Sequence, residues 1–282
     1  MWSVPVALLS SILYGVGDFL GGATSKRLHV LQVVAVSAPA SLLIEIVLIP
    51  VFGAAWSPGA LLWGGLSGVC SAAAFTMLYL ALARGPMSIL SPITAVVSAI
   101  IPVAVGFLLA ATFPGWSKIL GLAVSVPAVV LLSLGSSSGP RVRPRISSVV
   151  IAVAAGTAIG AQLVFLHAAP PDSGVAPLIV GRTVASLILG IAAAAALPRY
   201  RPGRPSWRLI AVAAIAGMLD SLANLAFVIS SRLGELAVSG MIVALYPATT
   251  VLLARIVFRE RIGWRGMLGL VLSLIGVALL AL

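Results

Sequence analysis

Apolar residues run along this chain in long blocks, separated by short breaks of glycine, proline and arginine. A soluble amphipathic helix keeps a polar face at helical spacing, and a β-barrel span alternates over about ten residues. Neither pattern is present. The blocks suit a bilayer, whose crossing takes about 20 apolar residues. They fall at 4–24, 30–52, 60–83, 86–110, 116–134, 148–169, 175–197, 207–231, 235–258 and 263–282. Within hydrocarbon a lone segment satisfies its backbone only as a helix. The predicted fold class is an all-α membrane protein with ten transmembrane helices.

Composition agrees with this pattern. The chain is 61% hydrophobic and 8% charged, where soluble domains are about 25% charged; the mean hydropathy is +1.21. A net charge of +11 raises the question of nucleic acid. The basic residues sit in the gaps between apolar blocks, where they anchor membrane loops, so no nucleic-acid partner is expected. Met1-Trp2-Ser3 offers no basic stretch ahead of a span-length block, and no cleavable signal peptide is expected. The single cysteine, Cys70, excludes an intrachain disulfide. No H-E-x-x-H metal motif occurs, and neither metal nor cofactor is predicted.

The chain divides at its longest polar stretch, GSSSGPRVRPRISS from Gly135. The two parts resemble one another. GWSKILGLAVSVPAVVLL from Gly115 aligns with GWRGMLGLVLSLIGVALL from Gly263 at an offset of 148, pairing Trp116 with Trp264 and Gly121 with Gly269. At an offset of 149, Gly85 pairs with Gly234 and Gly68 with Gly217. The expected domains are a five-helix repeat over 1–134, an Arg/Ser/Pro linker over 135–147 and a second five-helix repeat over 148–282. Five is odd, so the second copy enters the membrane inverted. Inverted repeats build many secondary transporters, with the site near the midplane between the halves.

Loop charge predicts an orientation. One side carries fourteen basic residues, from Lys26 and Arg27 through Arg141, Arg143 and Arg145 to Arg261 and Arg265. The other carries Lys118 and Arg232, offset by Asp172 and Glu235. The basic side is expected in the cytoplasm, with both termini outside.

An ionisable group inside the membrane is a functional candidate by default. In the first block Ser11, Tyr14, Gly15, Asp18 and Gly22 share one helix face. Asp18 there binds a cation, a proton or a substrate amine, or else only a neighbouring helix. In the eighth block Asp220 and Asn224 share a face and correspond by the repeat to Ser71 and Phe75, part of a stripe with Ser67 and Tyr79. The two stripes are expected to line a common path. Arg182, with Ser186 one turn on, needs a carboxylate, water or an anionic substrate; Asp220, Asp18 and Glu45 are the available acids. Glu45 either snorkels or serves as a coupling carboxylate for a proton. His167, beside Pro170-Pro171-Asp172, reads as interfacial. Ser88, Ser91 and Ser98 in the fourth block, and Ser239, Tyr246 and Thr250 in the ninth, are weaker path candidates, beside Pro92, Pro102 and Pro247.

The sequence LYPATTVLLARIVFRERIGWRGMLGLVLSLIGVALL resembles the end of an EamA-type domain of the drug/metabolite transporter superfamily. It carries a tyrosine-proline pair, a Glu260-Arg261 turn and the Gly269/Gly276 spacing. LYGVGDFLGGATSKR resembles the first helix of that domain. The resemblance implies two tandem EamA-like domains and an exporter of small metabolites such as amino acids, with a central cavity, in the cell (plasma or inner) membrane. It also implies cytoplasmic termini, opposite to the loop charge. The halves depart from one another: Arg182 resembles a basic residue of the family's helix, whereas the first half has Ser37-Ala38-Pro39 there, and ATFPGWSK lacks the Gly-Glu pattern that Arg259-Glu260 partly keeps.

Two other classes compete. Gly15-Val16-Gly17-Asp18 resembles the G-x-G-D signature of intramembrane aspartyl proteases, with Asp220 as the second aspartate. In that class the G-x-G-D aspartate follows its partner, here it precedes it, and a Pro-Ala-Leu element is missing. The third class is a lipid-carrier flippase or a non-transporting membrane scaffold. Substrate, coupling ion, direction and oligomeric state stay open at this point.

Overall fold

The computed structural model describes residues 2–84, 87–109, 115–134, 145–200, 203, 205–258 and 264–281. Most of the 135–147 linker, Gly85 and the Glu260-Arg261 turn lie outside the described residues. The chain is helical: α1 (Ser3–Ser25), α2 (Val30–Val47), α3 (Ile49–Phe52), α4 (Pro58–Arg84), α5 (Met87–Leu109), α6 (Trp116–Leu134), α7 (Ile146–Ala168), α8 (Ala176–Tyr200), α9 (Trp207–Leu233), α10 (Leu236–Val243), α11 (Tyr246–Phe258) and α12 (Trp264–Ala281). Among the described residues six helices are long and apolar enough to cross a membrane: α1, α2, α4, α7, α8 over Ala176–Ala196, and α9.

Two apolar blocks that read as single helices are broken. The second splits into α2 and the one-turn α3, and the ninth into α10 and α11. Proline explains both. It lacks an N–H and its ring clashes with the carbonyl four residues earlier. Pro50 opposes the carbonyl of Ile46, next to the last residue of α2, and Pro247 that of Val243, the last residue of α10.

Polarity is distributed inside out. Leu62, Leu108 and Ile191 are exposed on the periphery, whereas Asp18, Glu45, Arg182 and Asn224 are buried. Lipid tails reward neither helix contact nor separation, so contact depends on close packing and interhelical hydrogen bonds. Both are present. α1 packs on α9, α4 on α7 and α8, α2 on α8 and α9, α5 on α7, and α6 on α12. Gly217 lets α9 approach the Ser37 carbonyl of α2, and Gly68 lets α4 approach the Gly181 carbonyl of α8. Hydroxyls donate across three of these contacts, Ser10 to the Ala223 carbonyl (2.7 Å), Ser37 to Ala213 (2.9 Å) and Thr94 to Ala152 (3.1 Å), and Thr250 of α11 donates to Gly15 of α1 (3.0 Å).

The helix ends gather into two faces. On the first, the Gln32 amide donates to the Gly203 carbonyl at 3.0 Å, joining the breaks after α1 and α8. Lys26, Arg27, Arg145 and Arg208 lie at helix ends on this face. On the second, the Val175 N–H donates to the Gly53 carbonyl (2.9 Å) and the Ala55 N–H to Ser173 (3.1 Å). Gly174 has φ +56 there, the left-handed region that favours glycine. Arg232 ties the end of α9 to the same segment by donating to the carbonyls of Pro171 (3.0 Å) and Pro170 (3.2 Å). Arg232→Ala is expected to cost about 1.5 kcal/mol, the lower end for charged donors because the group is half-exposed. A lowered thermal midpoint in detergent checks this.

Candidate functional site: a polar cavity among the helices

A cavity of about 30 Å³, room for about two waters, lies between α1, α4, α5, α7, α9, α10 and α11. Tyr14, Asp18, Ser71, Phe75, Asp220 and Tyr246 supply its polar and aromatic wall. Helical spacing brings them there. Tyr14 and Asp18 are four apart on α1, and Ser71 and Phe75 four apart on α4, so each pair projects from one face. Aliphatic residues such as Leu78 and Leu163 complete the wall. The rings of Tyr14 and Tyr246 stand 6.4 Å apart, and the Tyr246 hydroxyl donates to the Ser91 carbonyl at 3.5 Å.

A buried charge network borders the cavity. Arg182 of α8 donates through Nη2 to Asp220 Oδ2 and through Nη1 to Ser71 Oγ at 2.7 Å. Its Nε lies 3.5 Å from Glu45 Oε1, and its guanidinium sits over the Phe75 ring, 5.3 Å from the centroid. The Ser221 hydroxyl is shared between Glu45 Oε1 and the Ser41 carbonyl. Asn224 donates to Asp220 Oδ2 at 3.0 Å and accepts from Gln162 Nε2 at 2.8 Å. The network thus runs from Gln162 through Asn224, Asp220 and Arg182 to Glu45 and Ser221. It joins α7, α9, α8 and α2.

Asp18 stands apart from this network. It is 8% exposed and lines the cavity. Its carboxylate accepts no hydrogen bond and makes no ion pair among the described residues. Of the interior acids Asp18, Glu45 and Asp220, only Glu45 and Asp220 therefore meet the Arg182 guanidinium.

The sequence candidates separate accordingly. Tyr14, Asp18, Asp220 and Tyr246 meet at the cavity. Arg182 and Glu45 belong to the charge network behind it. Glu45 is 1% exposed, so it does not snorkel. Asn224 is fully buried between Asp220 and Gln162. Tyr79 does not line the cavity. It is packed at Phe75 and over Gly21. Ser239 hydrogen-bonds to Ser230 at 2.7 Å, away from the cavity wall. His167 contacts Ser231 at 3.1 Å near the second face. Gln162 and Ser221 were not foreseen. Gln162 is the amide in an otherwise apolar stretch, AIGAQLVFL, and that isolation is the signal that could have found it.

Residues 146–282 match the model of the EamA-like transporter family. That match spans the second half of this chain. The family is one of transporters, and the six long apolar helices among the described residues accord with an integral membrane protein. A protein of known crystal structure shares the fold of the whole chain: its TM-score is 0.74 at 14% identity, covering 98% of this chain and 95% of that one. No curated protein matches the sequence.

Proposed function

We propose that this EamA-like protein is a secondary transporter of small metabolites, amino acids or related amines among them, that works by alternating access through the cavity. In this reading ten spans form two inverted five-helix repeats, 1–134 and 148–282, joined by the 135–147 linker. The observation that carries it is the composition of the cavity wall. Eight of its residues fall into four pairs: Ser98 with Tyr246 and Ser71 with Asp220 at the sequence offsets of 148 and 149, and Tyr14 with Ile159 and Asp18 with Leu163 at 145, an offset between the first and seventh helices. The packing follows the same exchange. Gly15 abuts the Tyr246 carbonyl as Gly160 abuts that of Ser98. A cavity on the axis relating two bundles opens to either face when one bundle rocks against the other.

Each pair supplies different chemistry from its two members, so in this reading the two halves contribute unequally to the site. The basic face of Lys26, Arg27, Arg145 and Arg208 is proposed as cytoplasmic, with export as the direction. A proton is the proposed coupling ion, carried by Asp18 or Asp220. The groups around them are Arg182, Glu45, Tyr14, Tyr79 and Tyr246.

Alternating access predicts that one cavity residue meets water from both sides. In a Cys70→Ser background, Ala74→Cys is expected to react with an impermeant thiol reagent in both right-side-out and inside-out vesicles. Reaction from one side alone contradicts the mechanism. Proton coupling predicts that Asp18→Asn or Asp220→Asn changes the pH dependence of solute counterflow. Profiles that match the parent in both variants exclude it.

A further inference from the structure

The cavity wall holds two carboxyl groups, Asp18 and Asp220, and of these two Arg182 behind it pairs with Asp220 alone. We propose that the wall binds a small organic monocation, an amine with an apolar tail and no carboxylate, through Asp18. This rests on the transport reading above and names the substrate class of that site.

Asp18 is more than nine-tenths buried, faces the cavity and has no partner among the described residues. A second group points the same way independently: the Tyr14 hydroxyl, one turn earlier on α1 and also in the wall, is buried with no hydrogen-bond partner. Two unanswered polar groups on one wall are what an ammonium satisfies, by ion pairing with the carboxylate and donating to the phenol oxygen. Tyr246, whose ring centroid is 6.4 Å from that of Tyr14, adds a second aromatic surface to the same wall. Ala74, Leu78 and Val243 supply an apolar wall for the tail.

A ligand that carries its own carboxylate has no free cation to meet. All three nitrogens of Arg182 are engaged, by Asp220, Ser71 and Glu45. A carboxylate placed beside Asp18 and Asp220 meets like charge in a poorly screened site, which is repulsive. Amino acids are therefore discriminated against relative to the amines left when that carboxylate is removed. The cavity of about 30 Å³ must widen to admit either, so volume alone does not decide between them.

The test is thermal unfolding of the purified full-length protein in detergent at pH 7 and fixed ionic strength. Phenethylamine is compared with phenylalanine, and isoamylamine with leucine. Ligand binding to the folded state raises the midpoint by mass action. The amines are expected to do so at concentrations at least tenfold lower than their amino acids. Asp18→Asn is expected to abolish the amine shift and Asp18→Glu to retain it. Amino acids that match the amines, or an amine shift unchanged in Asp18→Asn, overturn the proposal. If Asp18→Asn does not fold, the ligand pairs and Asp18→Glu decide it. An Asp18-dependent amine shift without flux in liposomes contradicts the transport reading but supports the site. Flux of amino acids without amine preference does the reverse.

Discussion

Arg182→Leu is expected to destabilise the protein by about 3–5 kcal/mol, the cost of removing one partner from a buried ion network. Glu45 is 1% exposed and relies on Arg182 and Ser221, while Asp220 relies on Arg182 and Asn224. Without the guanidinium both carboxylates remain inside the bundle with neutral donors only. The Ser71 hydroxyl and the Phe75 face also lose their cation. The damage comes from stranded charge, so removing that charge repairs it. Glu45→Gln and Asp220→Asn together, added to Arg182→Leu, are expected to recover most of the thermal midpoint. An Arg182→Leu protein that melts with the parent contradicts this account of the network.

Gly217→Ala and Gly68→Ala are each expected to destabilise the protein. The added Cβ of Gly217 would land on the Ser37 carbonyl, and that of Gly68 on the Gly181 carbonyl. Backbone cannot rotate aside as a side chain can, so the helices must separate. Overpacking of this kind costs about 1–3 kcal/mol. The separation at Gly217 also pulls α9 from α2 one turn before the bond from Ser221 to the Ser41 carbonyl, 3.1 Å. Gly65→Ala, in the same helix as Gly68 but facing open space, is the control and is expected to cost nothing. Equal midpoints for all three variants would show that the crossings are not as tight as the packing indicates.

The long apolar blocks announced helices because hydrophobic length is a property of sequence alone. The breaks at α2–α3 and α10–α11 were carried by Pro50 and Pro247, yet Pro39 and Pro127 sit inside continuous helices. A proline in the sequence therefore marks a possible break and does not by itself decide one. Tyr14 with Asp18 was legible as a face because the helical period places it. Ser71 opposite Asp220 was legible because the repeat pairs them. The choice of Arg182 between Asp18, Glu45 and Asp220 was not legible, since all three acids are compatible with its depth. Crossing geometry brings α2 and α9 to it and leaves Asp18 on the far wall. Tyr79 shows the limit of a stripe: it shares the spacing of Ser71 and Phe75, but a helix face is wider than this cavity, and Gly21 offers the ring a slot outside it.

In the proposed function this chain alone carries a small solute across a bilayer through the cavity. Counterflow in sealed liposomes tests it most directly. Purified protein is reconstituted, loaded with unlabelled amines, amino acids, polyamines or nucleobases, and exposed to trace labelled solute. The account predicts saturable counterflow of at least one solute, reduced by Ala74→Trp, which fills the cavity. Flux no greater than in empty liposomes across the panel contradicts it, and cleavage of a membrane-inserted peptide by the same liposomes would point instead to the protease reading.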